Sequence, residues 1–241
     1  MSEQDAVSHD GFNTLNEKPL HAAIKRWYAR PGDRLEVPLD GYFIDLIQDD
    51  LLVEIQTGSF GAIRRKLFDL CARYPVRLVY PIAAEKWIVT LAQDGSGAGT
   101  RRKSPRRGRV EDLFSEIIYL PGLMKAENFS LEVLLIQEEE VRRKDDSRRG
   151  WRRKGWVKQE SRLIQVLDRR VFNTPADLGT LLPASLPEPF TTRELAASAR
   201  QPVRLAQKIV YCLREMGVLT LVGKRGRSYL YERSITEGRR T

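Results

Sequence analysis

The spacing of apolar residues divides the chain into short segments of differing period. Leu20, Ala23, Ile24 and Trp27 fall on one face at helical spacing, which predicts a helix over 16–29. Pro31 ends it, because a proline disfavours helical geometry at the residue before it. Three short alternating runs follow at 34–38, 42–47 and 51–57, separated by Asp40-Gly41 and Asp49-Asp50, and read as strands joined by tight turns. From Phe60 to Tyr74 the period is helical again, with Ile63, Leu67, Leu70, Cys71 and Tyr74 forming the stripe. Pro75 closes that helix, and 76–82 is a continuous apolar run of the type buried on both faces.

A further strand is predicted at 87–92, a helix at 110–118 and a strand at 129–137. Segments 161–171 and 175–181 read as helices, and Pro183, Pro187 and Pro189 mark a stiff connector. Thr191 and Glu194 are placed as a capping box opening a short helix. Gln201-Pro202 turns into a longer helix over 203–216, with Ala206, Ile209, Val210 and Leu213 facing inward. Gly217 ends it, and two strands at 218–222 and 228–231 flank Gly223-Lys224-Arg225-Gly226-Arg227. Helix, tight turn, helix and a basic-tipped hairpin resemble a winged helix-turn-helix domain.

Composition narrows the class. In 241 residues, 41% are hydrophobic and 30% charged, enough apolar content for a folded core. No apolar run approaches the roughly 20 residues of a transmembrane helix. The polar, acid-bearing residues 1–13 are unlike a signal peptide and read as a tail, so a cytoplasmic location is expected. Two cysteines, Cys71 and Cys212, cannot make a disulfide framework, and with His9 and His21 they suggest no ordinary zinc site. Net charge is +9 but unevenly spread: residues 1–95 carry −3, 96–160 carry +5 and 161–241 carry +7. An acidic front and a basic back point to a polyanionic partner.

The chemistry concentrates in the hairpin around Asp49-Asp50. With those two residues as the loop, Asp45 opposes Glu54, on the same side as Gln56. Like charges opposed on a ladder are destabilising unless neutralised, and a hard divalent cation with oxygen ligands would neutralise them. A solvent-exposed strand face is the plainer reading, but Glu54 sits within Leu51-Leu52-Val53-Glu54-Ile55, an interior context. No Gly-rich phosphate loop with Lys-Ser/Thr and no Gly-x-Ser-x-Gly elbow is present.

Glu17 on the first helix, Asp45 on the second strand and Glu54-x-Gln56 on the third resemble the PD-(D/E)XK nuclease superfamily, over about residues 14–92. The resemblance implies a restriction-endonuclease-like α/β fold, a mixed sheet flanked by helices. It implies that Asp45 and Glu54 bind Mg²⁺ (or Mn²⁺), with Glu17 assisting and Gln56 as the fourth catalytic position. Gln56 stands where the superfamily usually has lysine, and Lys66 or Lys18 are candidate substitutes. His21, one turn from Glu17, either touches this site or packs in the core.

The expected organisation is a tail at 1–13, a nuclease-like domain at 14–140 with a basic loop at 94–109, and a basic linker at 141–158. A winged-helix domain at 159–235, small and α+β, and a tail at 236–241 complete it. Arg204, Gln207 and Lys208 on the longer helix, with Lys224, Arg225 and Arg227 on the wing, are candidates to contact DNA. Trp151 and Trp156 lie among arginines and are candidates to stack on bases. The function expected is a Mg²⁺-dependent DNA endonuclease, with no membrane partner and with homodimerisation left open. The alternatives are a DNA-binding regulator with a silent nuclease-like domain and, more remotely, an RNA-binding or assembly subunit.

Overall fold

A computed structural model describes residues 18–91, 98–144 and 155–234. The described chain is α/β. Helix α1 (Pro19–Tyr28) leads into strands β1 (Arg34–Leu39), β2 (Tyr42–Gln48) and β3 (Leu51–Ile55). After a 3-10 turn at Phe60–Ile63 come α2 (Arg64–Cys71), the long strand β4 (Val76–Leu91) and β5 (Ala98–Lys103). Another 3-10 turn, Val110–Leu113, runs into the single-turn α3 (Phe114–Ile117), and the long strands β6 (Phe129–Lys144) and β7 (Trp156–Phe172) follow. The terminal elements are α4 (Pro175–Gly179), α5 (Thr192–Ser198), α6 (Val203–Glu215), β8 (Leu219–Arg225) and β9 (Ser228–Arg233).

The main sheet is mixed, in the order β1-β2-β3-β4-β6-β7, with β5 also on β4. Strands β3, β4 and β6 are parallel to one another, and the other pairings are antiparallel. Strand β6 follows one edge of β4 from Val76 to Thr90. The other edge is shared: β3 takes Val76–Val79 and β5 takes Trp87–Leu91. Asp40 and Gly41 both have positive φ, 51° and 80°, so the β1–β2 link is a two-residue turn whose twist suits a hairpin.

The two faces of the sheet bury separate sets. Leu20, Ile24 and Tyr28 of α1, at i, i+4 and i+8, cover Leu46, Val53, Ile55, Val79, Leu134 and Ile136. The other face packs Ile44, Leu52 and Leu78 against Leu67 and Leu70 of α2, and this core continues without a break to Leu195, Ile209 and Leu213 of α5 and α6. Arg109 ties the two parts further, its Nη1 donating to the Ala199 carbonyl at 3.0 Å. The α1 stripe differs from expectation at one place. Trp27 is 45% exposed, and Tyr28 turns inward to donate its hydroxyl to the fully buried Glu132, 2.8 Å away.

The terminal elements follow the order of a winged helix, with Phe190 bridging to Tyr231 ahead of α5. The Thr191–Glu194 capping box forms as expected, each residue's side chain taking the other's backbone N–H. Ala206, Ile209, Val210 and Leu213 are buried.

Three expectations need correction. The segment 161–171 is strand, not helix: it lies inside β7, paired along its length with β6. Register shifts at Leu135/Ile136 and Gln137/Glu138 break the strict alternation that would have marked it, leaving a pattern that mimics helical spacing. Residues 141–144 and 156–158 are therefore ladder, not linker, and the sheet extends to Phe172 before the winged-helix elements begin. Within the basic segment at 94–109, residues 98–103 form β5. The strand expected at 87–92 is the far end of β4, continuous with 76–82.

Candidate functional site

A cleft of about 370 Å³ opens where β2 and β3 part beside α1, lined among others by His21, Lys25, Glu36, Asp45, Glu54 and Gln56. The hairpin register is the expected one: Leu46 opposes Val53, Ile47 opposes Leu52 and Gln48 opposes Leu51. The ladder stops there, just short of Asp45 and Glu54. On its other edge β3 is paired with β4 from Leu52 to Ile55, and the Gln56 backbone N–H carries that pairing on, donating to the Val79 carbonyl at 2.9 Å. The splay leaves both carboxylates at one opening, each held by a different element.

Asp45 accepts the backbone N–H of Ile55 at 2.8 Å, and its Oδ2 lies 3.1 Å from His21 Nε2 on α1. Burial works to raise its pKa, but the contact and charge of His21, the Ile55 N–H and the nearby Lys66 charge outweigh it. The carboxyl is held below the usual range. Glu54 is 4% exposed and behaves oppositely. Burial, aided by the Asp45 charge, pushes its pKa up to about 7 even though Lys66 opposes the shift. Lys66 Nζ sits 2.6 Å from Glu54 Oε2 and donates to the Phe43 carbonyl at 2.5 Å. Glu54 Oε1 is buried with no hydrogen-bond partner among the described residues. An ionised carboxylate next to one that titrates near neutrality is a pairing suited to proton transfer.

Asp45 and Glu54, expected together from the hairpin pattern, do meet in the fold. His21, for which both site and core are open in the sequence, is on Asp45. Gln56 lines the cleft, but its amide is occupied with its own loop, accepting from Gly58 N and donating to the Ser59 carbonyl, each at 3.2 Å. Glu17 lies outside the described residues. Lys18 lines the cleft as well.

Glu36 is a site residue that the sequence pattern does not indicate. It lies on β1 between the pairs Leu35–Leu46 and Val37–Ile44, opposite Asp45, and its φ is +52°. That left-handed conformation in a non-glycine residue costs about 1 kcal/mol, and such strain concentrates at functional positions. Its carboxylate is 2.6 Å from Lys25 Nζ, a lysine that is itself buried. Nothing in Leu35-Glu36-Val37 announces the twist, which arises where β1 must follow β2 past its departure from β3.

Among the described residues no group of three or more His, Cys, Asp and Glu side chains is arranged to hold a metal ion. Two carboxylates do converge, and a Mg²⁺ ion that keeps several waters needs only one or two from the protein. The unpartnered, buried Glu54 Oε1 fits that requirement.

The DNA-contact candidates fall into two groups. Arg204, Gln207 and Tyr211 are exposed along α6 and Lys208 is partly so. On the wing, Lys224 lies over the Tyr229 ring, 4.9 Å from its centroid, and Arg227 is exposed. Arg225 is engaged within the fold, its Nη1 2.7 Å from the capping-box Glu194. Trp151 lies outside the described residues, and Trp156 begins β7. Cys71 and Cys212 are buried thiols whose pKa burial raises to about 12, inert packing groups.

No helix among the described residues is long and apolar enough to cross a membrane. A protein of Treponema pallidum (strain Nichols), described as an uncharacterized protein, is 32% identical over 224 residues, covering 92% of this chain and 87% of its own length. No solved structure matches the chain. A family profile matches residues 18–173, from the start of α1 to the end of β7, and so spans the main sheet and the cleft while leaving out the winged-helix elements. The chain belongs to the family described as Domain of unknown function (DUF8091).

Proposed function

We propose that the protein is a metal-dependent endonuclease that hydrolyses DNA phosphodiester bonds, docked on its substrate by the winged-helix elements. The observation that carries this reading is the convergence of Asp45 and Glu54 at one opening, with Glu54 Oε1 buried and unpartnered and Lys66 alongside. Asp45 and Glu54 would hold Mg²⁺ or Mn²⁺. When bound, such an ion supplies Lewis acidity and a lowered pKa to the attacking water. His21 and the Ile55 N–H keep Asp45 oriented and ionised. Lys66 brings the positive charge that Gln56 lacks, from α2 instead of β3. In the reaction water adds to phosphorus, one bridging P–O bond breaks, and the leaving sugar oxygen takes a proton.

Docking is supported by the exposed α6 face (Arg204, Gln207, Lys208) and by Lys224 and Arg227 on the wing. These supplement a sheet domain whose first strands are net acidic. The test is incubation of the full chain with plasmid, junction and single-stranded DNA in Mg²⁺ or Mn²⁺. Cleavage lost in both Asp45→Ala and Glu54→Ala supports the reading. One observation favours the second reading, a DNA-binding regulator with a silent domain: the Gln56 amide closes its own loop and does not face the carboxylates. Tight duplex binding without cleavage of any substrate would decide for it.

A further inference from the structure

Past Lys86 the sheet continues as four strands, β5-β4-β6-β7, and the two sides of this extension differ in charge balance. Cross-strand partners share a face, so the register assigns each residue to a side. One side carries the rungs Arg102–Ile88–Glu140–Ser161 and Thr100–Thr90–Arg142–Lys158, together with Lys86–Glu138 and Lys144–Trp156. Its described cations are Lys86, Arg102, Arg142, Lys144 and Lys158, against two carboxylates, Glu138 and Glu140, both of them buried. Lys86 and Arg142 lean on Glu140, at 3.0 and 2.6 Å, and Lys86 and Lys158 lie 3.5 and 3.8 Å from Glu138; with both carboxylates buried, the outer surface of this side carries the basic groups.

The opposite side is closer to balance, with four described cations, Arg101, Lys103, Arg143 and Arg162, against three carboxylates, Glu85, Glu139 and Glu160. Arg101 pairs with Glu139 at 2.9 Å and covers the Trp87 ring at 4.0 Å from its centroid. Lys103 pairs with Glu85 at 2.8 Å, and Arg162 pairs with Glu160.

The basic side is also joined to the candidate site. A depression lined by Tyr80, Lys86, Arg106, Glu138 and Lys158 shares Thr57 with the Asp45–Glu54 cleft. Gly108 forms part of its wall, and a Cβ there would lie 2.7 Å from the Ala83 carbonyl, so the wall can close on β4 only with glycine. A second depression follows, lined by Thr100, Arg102, Arg142, Lys144 and Trp156. Lys158 and Arg142, one in each, are cross-strand partners.

We propose that this side of the sheet extension is a track for the phosphate backbone of duplex DNA leading away from the cleft. It rests on the nuclease reading only for what lies at the track's end. Charge complementarity selects the occupant: a strip with five cations to two buried carboxylates, beside a face with four to three, is the footprint of a polyanion. Length agrees. Val79 pairs with Ile55 at the cleft and Thr90 lies eleven residues further along β4, a span of about 36 Å at roughly 3.3 Å per residue. That is the length of about ten nucleotides along one strand of a duplex.

The experiment measures duplex binding by the full chain in EDTA, by fluorescence anisotropy over a range of salt concentrations. The variant is Arg102→Ala/Lys144→Ala/Lys158→Ala, which removes the 3.8 Å Lys158–Glu138 contact but leaves Lys86 and Ser161 on Glu138, and Lys86 and Arg142 on Glu140. An unchanged circular dichroism spectrum and melting curve check its fold. The expected result is a log–log salt slope flattened by about 0.9 for each phosphate that the variant no longer neutralises. Arg101→Ala, on the opposite side, where Arg101 is paired with Glu139, leaves the slope as in wild type. Affinity in wild type rises with duplex length up to about ten base pairs beyond the site.

The track is overturned if the triple variant binds like wild type at every salt, if Arg101→Ala weakens binding equally, or if wild type binds RNA of the same length but no DNA. Cleavage assays keep the two ideas apart. A wild type that binds through these residues but never cuts retains the track and loses the nuclease. A wild type that cuts, with a triple variant that binds and cuts equally well, does the reverse.

Discussion

Lys66 Nζ on α2 lies 2.6 Å from Glu54 Oε2 on β3, as close as Lys25 lies to Glu36 on the other wall of the candidate site. The position expected to bear a lysine, two residues after Glu54, holds Gln56, whose amide folds back on its loop. The helix that crosses between the parallel strands β3 and β4 thus brings the cation to the carboxylate from above the sheet. It also neutralises a charge that burial would otherwise make costly.

Because both partners are largely buried, breaking the pair from one side should be more damaging than removing it entirely. Lys66→Met leaves an uncompensated carboxylate and is expected to cost about 3 kcal/mol of stability. Lys66→Met combined with Glu54→Gln should recover most of that loss. Urea denaturation of the two single variants, the double variant and wild type, at pH 8, measures the coupling. Additive losses would show that the two side chains do not depend on each other.

The same burial gives the metal-free protein a defined pH dependence. Glu54 titrates near 7 in the fold against 4.5 for an ordinary glutamate, so the folded state holds the proton more tightly than the unfolded chain. Its contribution is full below about 4.5, is lost as pH rises, and is gone above about 7. Relative to Glu54→Gln, wild type should lose on the order of 3 kcal/mol between those limits. Chemical denaturation of both proteins in EDTA across the range tests this. A constant difference would mean that Glu54 is solvated.

Much of this arrangement is legible in the sequence. The Asp49-Asp50 turn fixes the register, and the register brings Asp45 and Glu54 level. The capping box and the inward stripe of α6 follow from local chemistry that tertiary contacts do not override. What escapes depends on long-range geometry. The strand character of 161–171 comes from pairing with β6 through two register shifts, which scramble the alternation that strands otherwise show. The place of His21, open between site and core in the sequence, and that of Glu36 on β1 are decided by how α1 lies against β1 and β2. No spacing along the chain encodes that packing.

Glu36 offers a test of whether strain marks function here. Its Lys25 partner is 9% exposed, so the pair helps hold α1 against β1. Glu36→Gln keeps the shape and removes the charge facing the buried Lys25, so it should lower the melting temperature, and it should also lower nuclease activity at least tenfold if the carboxylate serves the cleft. Glu36→Gly loses the same pair but relieves the positive φ, so its melting temperature should equal or exceed that of Glu36→Gln. Activity of Glu36→Gln equal to wild type would make the residue a fastening of α1 and nothing more.

The winged-helix surface has its own expectation. Arg204 and Lys208 stand about one helical turn apart on the outer side of α6. Arg204→Ala/Lys208→Ala should weaken duplex binding and flatten the log–log salt slope by about 0.9 for each phosphate left unneutralised. Asp45→Ala should bind DNA at least as tightly as wild type, since it removes a negative charge from the cleft. A double variant with wild-type affinity at all salt concentrations would make α6 and the wing a protein-docking or structural unit.

The most direct test of the central claim is a cleavage assay with wild type, Asp45→Ala and Glu54→Ala on plasmid, junction and single-stranded DNA, each with and without Mg²⁺ or Mn²⁺. The account predicts cleavage by wild type only when the divalent ion is present, and a loss of at least a hundredfold in each variant. Wild-type protein that leaves every substrate intact, or variants that cut as fast as wild type, would contradict it.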